Sequence, residues 1–356
     1  MGKGELLSRM ISIFLMFGFG LLAKPVFART ISKSDWRHRL ADTASLLEKK
    51  YPSSFGIHVK DLQSGAEFGH RQEERWYVAS GVKVPIALAV MKEIQEGRLF
   101  LDSKVLLMES DYVDGAGNTN DHPPGTELTV EYLLEQMLIH SDNTASDLLI
   151  RAVGLSKVND LIAALDLGGF SPITTLAQVR RLAFASFHPG VESFDNRKFM
   201  KLKTFAREPE KLRALSHMLG VGLADLKVGS IRESYGAYYG SGANSATLSA
   251  YTRLLEKLVR GEILDPKHTQ ILLAIMSRVE TGKNRLIAGL GESVVFAHKT
   301  GTQYARVCDF GIATLQGRSV VISSCVRDIV SLKESEALLK KLGQAIRDSG
   351  VFVQKP

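Results

Sequence analysis

The sequence predicts an α+β fold, a three-layer α/β/α arrangement with a mostly helical lobe beside it. Strand-type patterns fall at both chain ends, helical periodicity fills most of the region between, and an amphipathic helix lies outside each set of strands. One antiparallel sheet assembled from the two ends, flanked by the first and last helices, satisfies all three observations.

Residues 34–50 read as an amphipathic helix capped by Ser34 or Asp35. Phe55–Leu62, the turn Gln63-Ser64-Gly65 and Ala66–Arg71 read as a hairpin. From Ser80 to about residue 165 the pattern is helical, broken by turn residues at Gly115–Gly125. Residues 171–245 are basic and mixed, with a glycine–tyrosine stretch at Gly229–Gly242. Helices are expected at Leu248–Arg260 and Pro266–Val279, and strands at Ser293–Thr302, Cys308–Thr314 and Ser319–Val326. A last helix, Leu332–Asp348, is capped by Ser331. The expected organisation is a sheet lobe at about 34–79 and 250–356, and a helical lobe at about 80–249 with an insertion at about 171–243.

The 356 residues, 45% hydrophobic, suffice for one large unit or two joined ones with buried cores. The formal charge of +7 comes from scattered basic residues rather than a stripe, which argues against nucleic-acid binding. At the N-terminus, Lys3 and Arg9 precede the apolar run Met10–Ala23, and Val26-Phe27-Ala28 supplies an A-x-A-like site. This is the pattern of a secretory signal peptide, residues 1–28, and the run falls short of the ~20 residues a spanning helix needs. The expected location is periplasmic or secreted, with membrane contact only through that segment. The two cysteines, Cys308 and Cys325, flank a hairpin turning at Gln316-Gly317; a two-residue turn sets them directly opposite each other. A disulfide and two buried thiols both fit. No His/Cys spacing suits a metal, and no cofactor is expected.

Three short motifs carry chemistry. Ala79-Ser80-Gly81-Val82-Lys83-Val84-Pro85 opens a helix, placing Ser80 where free N–H groups and the positive dipole end favour a developing alkoxide. Lys83 lies three residues on, on the same face, and a lysine with a depressed pKa can take the hydroxyl proton. Sixty-one residues after Ser80 comes Ser141-Asp142-Asn143-Thr144-Ala145, following the helical run Val130–Ile139, and Lys299-Thr300-Gly301-Thr302 ends an apolar strand. Ser-x-x-Lys alone is a weak signal. With Ser-Asp-Asn and Lys-Thr-Gly in this order it resembles the class A β-lactamase and penicillin-binding protein family over nearly all of the chain beyond residue 28. Thr247–Leu255 and Ile275–Leu290 are similar to that family's later helices.

The resemblance implies roles. Ser80 attacks an amide carbonyl, Lys83 accepts its proton, Ser141 relays that proton to the leaving nitrogen, and Lys299 keeps Lys83 acidic. Asn143 binds the substrate's side-chain amide. The backbone N–H groups of Ser80 and Thr302 form an oxyanion hole, worth ~3 kcal/mol per donor. Lys299, Thr300 and Thr302, with Gly301 between them, hold a substrate carboxylate, and Arg306 assists as a bidentate clamp. Class A members also need a deacylating glutamate with an asparagine four residues on. Here the second and third motifs stand 158 residues apart, and the formal match is Glu192-Ser-Phe-Asp-Asn196, with Asp195 where a buried leucine belongs. Glu192 is therefore the candidate hydrolytic base or an exposed loop acid. Tyr235, Tyr238 and Tyr239 either wall the cleft or pack the insertion.

The expected partner is a small-molecule β-lactam or a peptidoglycan stem peptide, bound by a monomer. The leading reading is an exported serine hydrolase opening a β-lactam through a Ser80 acyl-enzyme. A D-alanyl-D-alanine carboxypeptidase with slow deacylation is the alternative. An idle peptidoglycan-binding module is a third, which the presence of every nucleophile and relay residue argues against.

Overall fold

The computed structural model describes residues 35–353; the signal-peptide reading of residues 1–28 lies outside them. Five antiparallel strands form the main sheet. Its spatial order is Glu67–His70, Phe55–Asp61, Arg318–Arg327, Arg306–Leu315, Val295–Gln303. Both chain ends thus contribute, and the strand ending in Lys299-Thr300-Gly301-Thr302 is an edge strand with one free side.

Alternation along the strands divides their apolar residues between two cores. On one face Phe55, Ile57, Val59, Val307 and Ile322 pack against Leu40, Ala44 and Leu47 of the helix Trp36–Lys50 and Leu338, Leu342 and Ile346 of Leu332–Asp348. On the other, Ala297, Phe310, Ile312 and Val321 join the helices Lys83–Gln95 and Leu248–Val259. Asp35 and Ser331 cap the first and last helices through Arg37 N and Glu334 N, as their sequence context predicts.

The hairpin register is the one that a two-residue turn requires. Gln316 and Gly317 adopt φ of 49° and 78°, and Cys308 pairs directly with Cys325. The two sulfurs form a disulfide with Cα atoms 4.0 Å apart, which resolves the open choice.

One region departs from the expected helical run, and the basic, mixed insertion proves helical. Gly97, at φ +71°, ends the helix Lys83–Gln95, and residues 96–129 contain only short turns and the strand pair Lys104–Leu106 with Glu127–Thr129. Residues 176–240 fold as four short helices, Leu176–Phe184, Asn196–Thr204, Glu208–Leu219 and Ile231–Gly240. A third apolar cluster holds these together, built on Phe184, Phe187, Phe199, Tyr235 and Tyr238, with Tyr77 from the strand Arg75–Tyr77. The insertion's tyrosines therefore pack its own core.

One helix crossing fixes the far side of the active strand. A Cβ on Gly289 would come within 2.1 Å of Lys340 O, and one on Gly343 within 2.3 Å of Leu286 O. Only two glycines allow the short helix Leu286–Leu290, which begins beside Arg285, to lie against Leu332–Asp348, which carries Glu336. Arg285 Nε donates to Glu336 Oε1 at 3.2 Å. Gly343→Ala is expected to cost about 1–3 kcal/mol by overpacking; a Tm equal to wild type would show that the helices can part without loss.

Candidate active site

Ser80 lies in the tight turn Ala79–Val82 that leads into the helix Lys83–Gln95. Ala79 holds φ of +48°, a conformation uncommon for a residue with a side chain, and strain of this kind clusters at functional sites. The turn is pressed against the edge strand: a Cβ on Gly301 would reach 2.3 Å from Val78 O, and one on Gly81 would meet the Phe310 ring at 2.7 Å. Both motif glycines are thus explained by close approach.

Ser141 also has a left-handed backbone, φ +66°. The residue after it does structural work. Asp142 caps the helix Asn143–Val153 through Ala145 N at 2.9 Å and holds Thr119 N at 3.0 Å. That cap places Asn143 and Ser141 at the mouth of the cleft.

Two lysines with no exposed surface converge there. Lys83 Nζ donates to Ser141 O at 2.6 Å, Ser141 Oγ at 3.3 Å and Asn143 Oδ1 at 2.8 Å. Lys299 Nζ reaches the same Ser141 Oγ at 3.0 Å, and Thr300 O at 3.1 Å. Burial lowers Lys83 to about 7, against the opposing pull of Asp142 and Asp147. Burial, then repulsion from Lys83 and Arg285, holds Lys299 well below the usual lysine range. The main cause of the acidity of Lys83 is therefore lost water, rather than Lys299. No described residue hydrogen-bonds the Ser80 hydroxyl; such contacts often tighten only with substrate bound.

Ser80 borders a small pocket of about 40 Å³, shared with Tyr77, Ala79, Asn143, Leu176, Val179, Arg180, Thr302 and Gln303. None of these is a carboxylate. The motifs thus bring together Ser80, Lys83, Ser141, Asn143, Lys299 and Thr302. Thr300 is buried against Thr281, their hydroxyls 2.5 Å apart, and does not line the cleft. Glu192 is exposed in the short turn Pro189–Ser193, and Asn196 donates to Ser110 O. Arg306 pairs with Asp328 at 2.9 Å and lies 4.4 Å over the Tyr239 ring.

Arg285 occupies the position next to the strand end that the sequence reading gave to Arg306. Its Nη2 donates to Thr302 Oγ1 at 2.7 Å and its Nη1 to Gly301 O and Cys308 O at 3.1 Å. Arg180, which lines the pocket and pairs with Asp114, also escaped the motifs. So did Asp147, whose carboxylate accepts Leu176 N at 2.7 Å and Ala177 N at 2.8 Å, holding the start of the helix that carries Arg180. Asp147 sits at the fourth position after Asn143, one turn along the helix, which was the available signal.

An antiparallel sheet with a lysine on its edge strand, facing a helix-borne Ser-x-x-Lys and a serine between two buried amines, defines the class A β-lactamase and penicillin-binding protein superfamily. The chain belongs to the β-lactamase enzyme family, whose model matches residues 39–349. It is 27% identical to β-lactamase L2 of Stenotrophomonas maltophilia over 79% of this chain and 77% of that one. The fold matches the TLA-3 extended-spectrum β-lactamase with a TM-score of 0.67 at 22% identity, covering 88% of this chain and 99% of the other. It matches PBP-A with a TM-score of 0.66 at 21% identity, over 87% and 95%. A mutant of PBP-A has been captured as an acyl-enzyme with penicillin G.

Burial raises Asp147 to about 6, with its two N–H bonds opposing. A folded-state value above the unfolded one means that stability is fully present below about 4 and falls as pH rises through about 6. The Tm of Asp147→Asn minus that of wild type should therefore grow from pH 4 to pH 7. A constant difference would show that Asp147 does not titrate there.

Proposed function

We propose that the chain is an exported serine hydrolase that opens the amide of a β-lactam through a Ser80 acyl-enzyme and releases it slowly. The carrying observation is the shared hydrogen bonding of Lys83 and Lys299 to Ser141 beside Ser80. With its pKa lowered to about 7, Lys83 can accept the Ser80 proton as Oγ bonds to the carbonyl carbon. The oxyanion would rest on the Ser80 and Thr302 N–H groups. On collapse the C–N bond breaks and the nitrogen takes the Ser141 proton, which Lys83 restores across 3.3 Å. Arg285, rather than Arg306, would orient the carboxylate end of the substrate through Thr302.

Release of the acyl group needs a base for water, and Glu192, the formal match to the family's glutamate, is exposed. This favours a second reading for the natural substrate, a D-alanyl-D-alanine peptide, towards which a penicillin would act as a slow-leaving analogue.

Intact-mass measurement during reaction with benzylpenicillin should show one covalent equivalent that persists for many minutes, absent in Ser80→Ala. Glu192→Gln should release the adduct at the wild-type rate. Rapid turnover without a persistent adduct, slowed in Glu192→Gln, would contradict slow release and restore Glu192 as base. No adduct in wild type would contradict the acyl-enzyme itself.

A further inference from the structure

Two consecutive tyrosines of the insertion helix Ile231–Gly240 reach the two segments that carry the proposed oxyanion donors. Tyr238 is buried on the nucleophile side. Its ring meets that of Tyr77 edge-on at 5.4 Å, and its hydroxyl accepts Asn244 Nδ2 at 2.9 Å. Asn244 O accepts Val78 N at 3.0 Å, and Val78 O accepts Gly81 N at 2.8 Å, which closes the turn holding Ser80. Tyr239 serves the strand side. Its hydroxyl donates to Tyr304 O at 2.7 Å, two residues beyond Thr302. Arg306 lies 4.4 Å over its ring, and Tyr235, one turn earlier on the same helix, stacks on the Tyr304 ring at 5.6 Å. The Tyr77 and Tyr239 rings, 4.8 Å apart, join the two sides.

The strand end needs such support. Val295–Gln303 is an edge strand, with a ladder on one side only, and its last pair is Gln303 opposite Arg306. The two residues between them, Tyr304 and Ala305, make the turn, and Ala305 holds a left-handed φ of +49°. From outside the hairpin, Asp328 N donates to Ala305 O at 2.9 Å and Tyr239 donates to Tyr304 O. Burial raises the Tyr239 phenol above its ordinary pKa, so it stays a donor across the working range of pH. An oxyanion donor is effective only about 2.7–3.1 Å from the developing charge, so a small drift of either segment weakens it.

We infer that Tyr239 is a positioning residue for the oxyanion site: its bond to Tyr304 O, made from the helix that also holds Tyr77 through Tyr238, sets the Thr302 N–H against the Ser80 N–H. The inference rests on the Ser80 acyl-enzyme reading and brings the insertion into its chemistry. Without the hydroxyl, Tyr304 O loses this donor and the strand end is freer to move. The loss then falls on the tetrahedral state, where the donors carry charge, and spares ground-state binding.

The test follows Ser80 acylation by a chromogenic cephalosporin in single turnovers at rising concentration, which separates the first-order acylation constant from the half-saturating concentration. Tyr239→Phe keeps the ring and loses the hydroxyl. Its acylation constant should fall roughly threefold to tenfold, the scale of one neutral hydrogen bond, with half-saturation unchanged. An arylboronic acid, whose tetrahedral adduct on Ser80 carries an oxygen to the donors, should bind more weakly by about the same factor. Tyr235→Phe, which keeps its ring on Tyr304, should stay within about twofold of wild type in each reading. A Tyr239→Phe acylation constant within about twofold of wild type overturns the inference and leaves the acyl-enzyme intact. So does a rise in half-saturation alone, which would make Tyr239 a binding residue, or an equal loss in both variants, which would mark a general loosening of the aromatic cluster. No acylation of wild type overturns the inference together with the reading beneath it.

Discussion

Two buried amines aimed at one hydroxyl are what the rest of this site depends on. Lys83 and Lys299 both touch Ser141 Oγ, at 3.3 and 3.0 Å, and neither exposes any surface. An isolated ammonium in such a place is costly, so burial lowers both pKa values and brings Lys83 to about 7, where a poor base becomes an available one. Holding the two amines there takes much of the fold. The Asp142 cap sets Ser141, the left-handed Ala79 aims Ser80, and the glycine contact between Gly301 and Val78 brings the edge strand against the nucleophile turn.

The insertion changes what surrounds that centre. Its helix Leu176–Phe184 starts on Asp147 and delivers Arg180, paired with Asp114, to the pocket. On the proposed mechanism acylation would draw on the family motifs, while the inserted segment contributes Arg180 and Leu176 to the pocket beside Ser80.

Much of the frame was legible because it rests on local rules. The Asp35 and Ser331 caps, the two-residue turn that opposes Cys308 to Cys325, and the order of the three motifs all follow from short-range patterns. The site residues that escaped are those whose meaning is non-local. Arg285 acts through a helix crossing made by Gly289 and Gly343, and Arg180 through a partner 66 positions away. Spacing suggested Glu192 with Asn196 and proximity suggested Arg306. In the structure Glu192 is solvent-exposed, and Arg306 is engaged with Asp328 and Tyr239. The tyrosines read as cleft walls or packing because an amphipathic ring suits both; here they pack with Tyr77.

The account stands on Lys83 being a neutral base near physiological pH. Titration of the Lys83 side chain by carbon-detected NMR, assigned against Lys83→Arg, measures this directly. A midpoint near 7 is the expected result; a midpoint near 10, the ordinary lysine value, would contradict it.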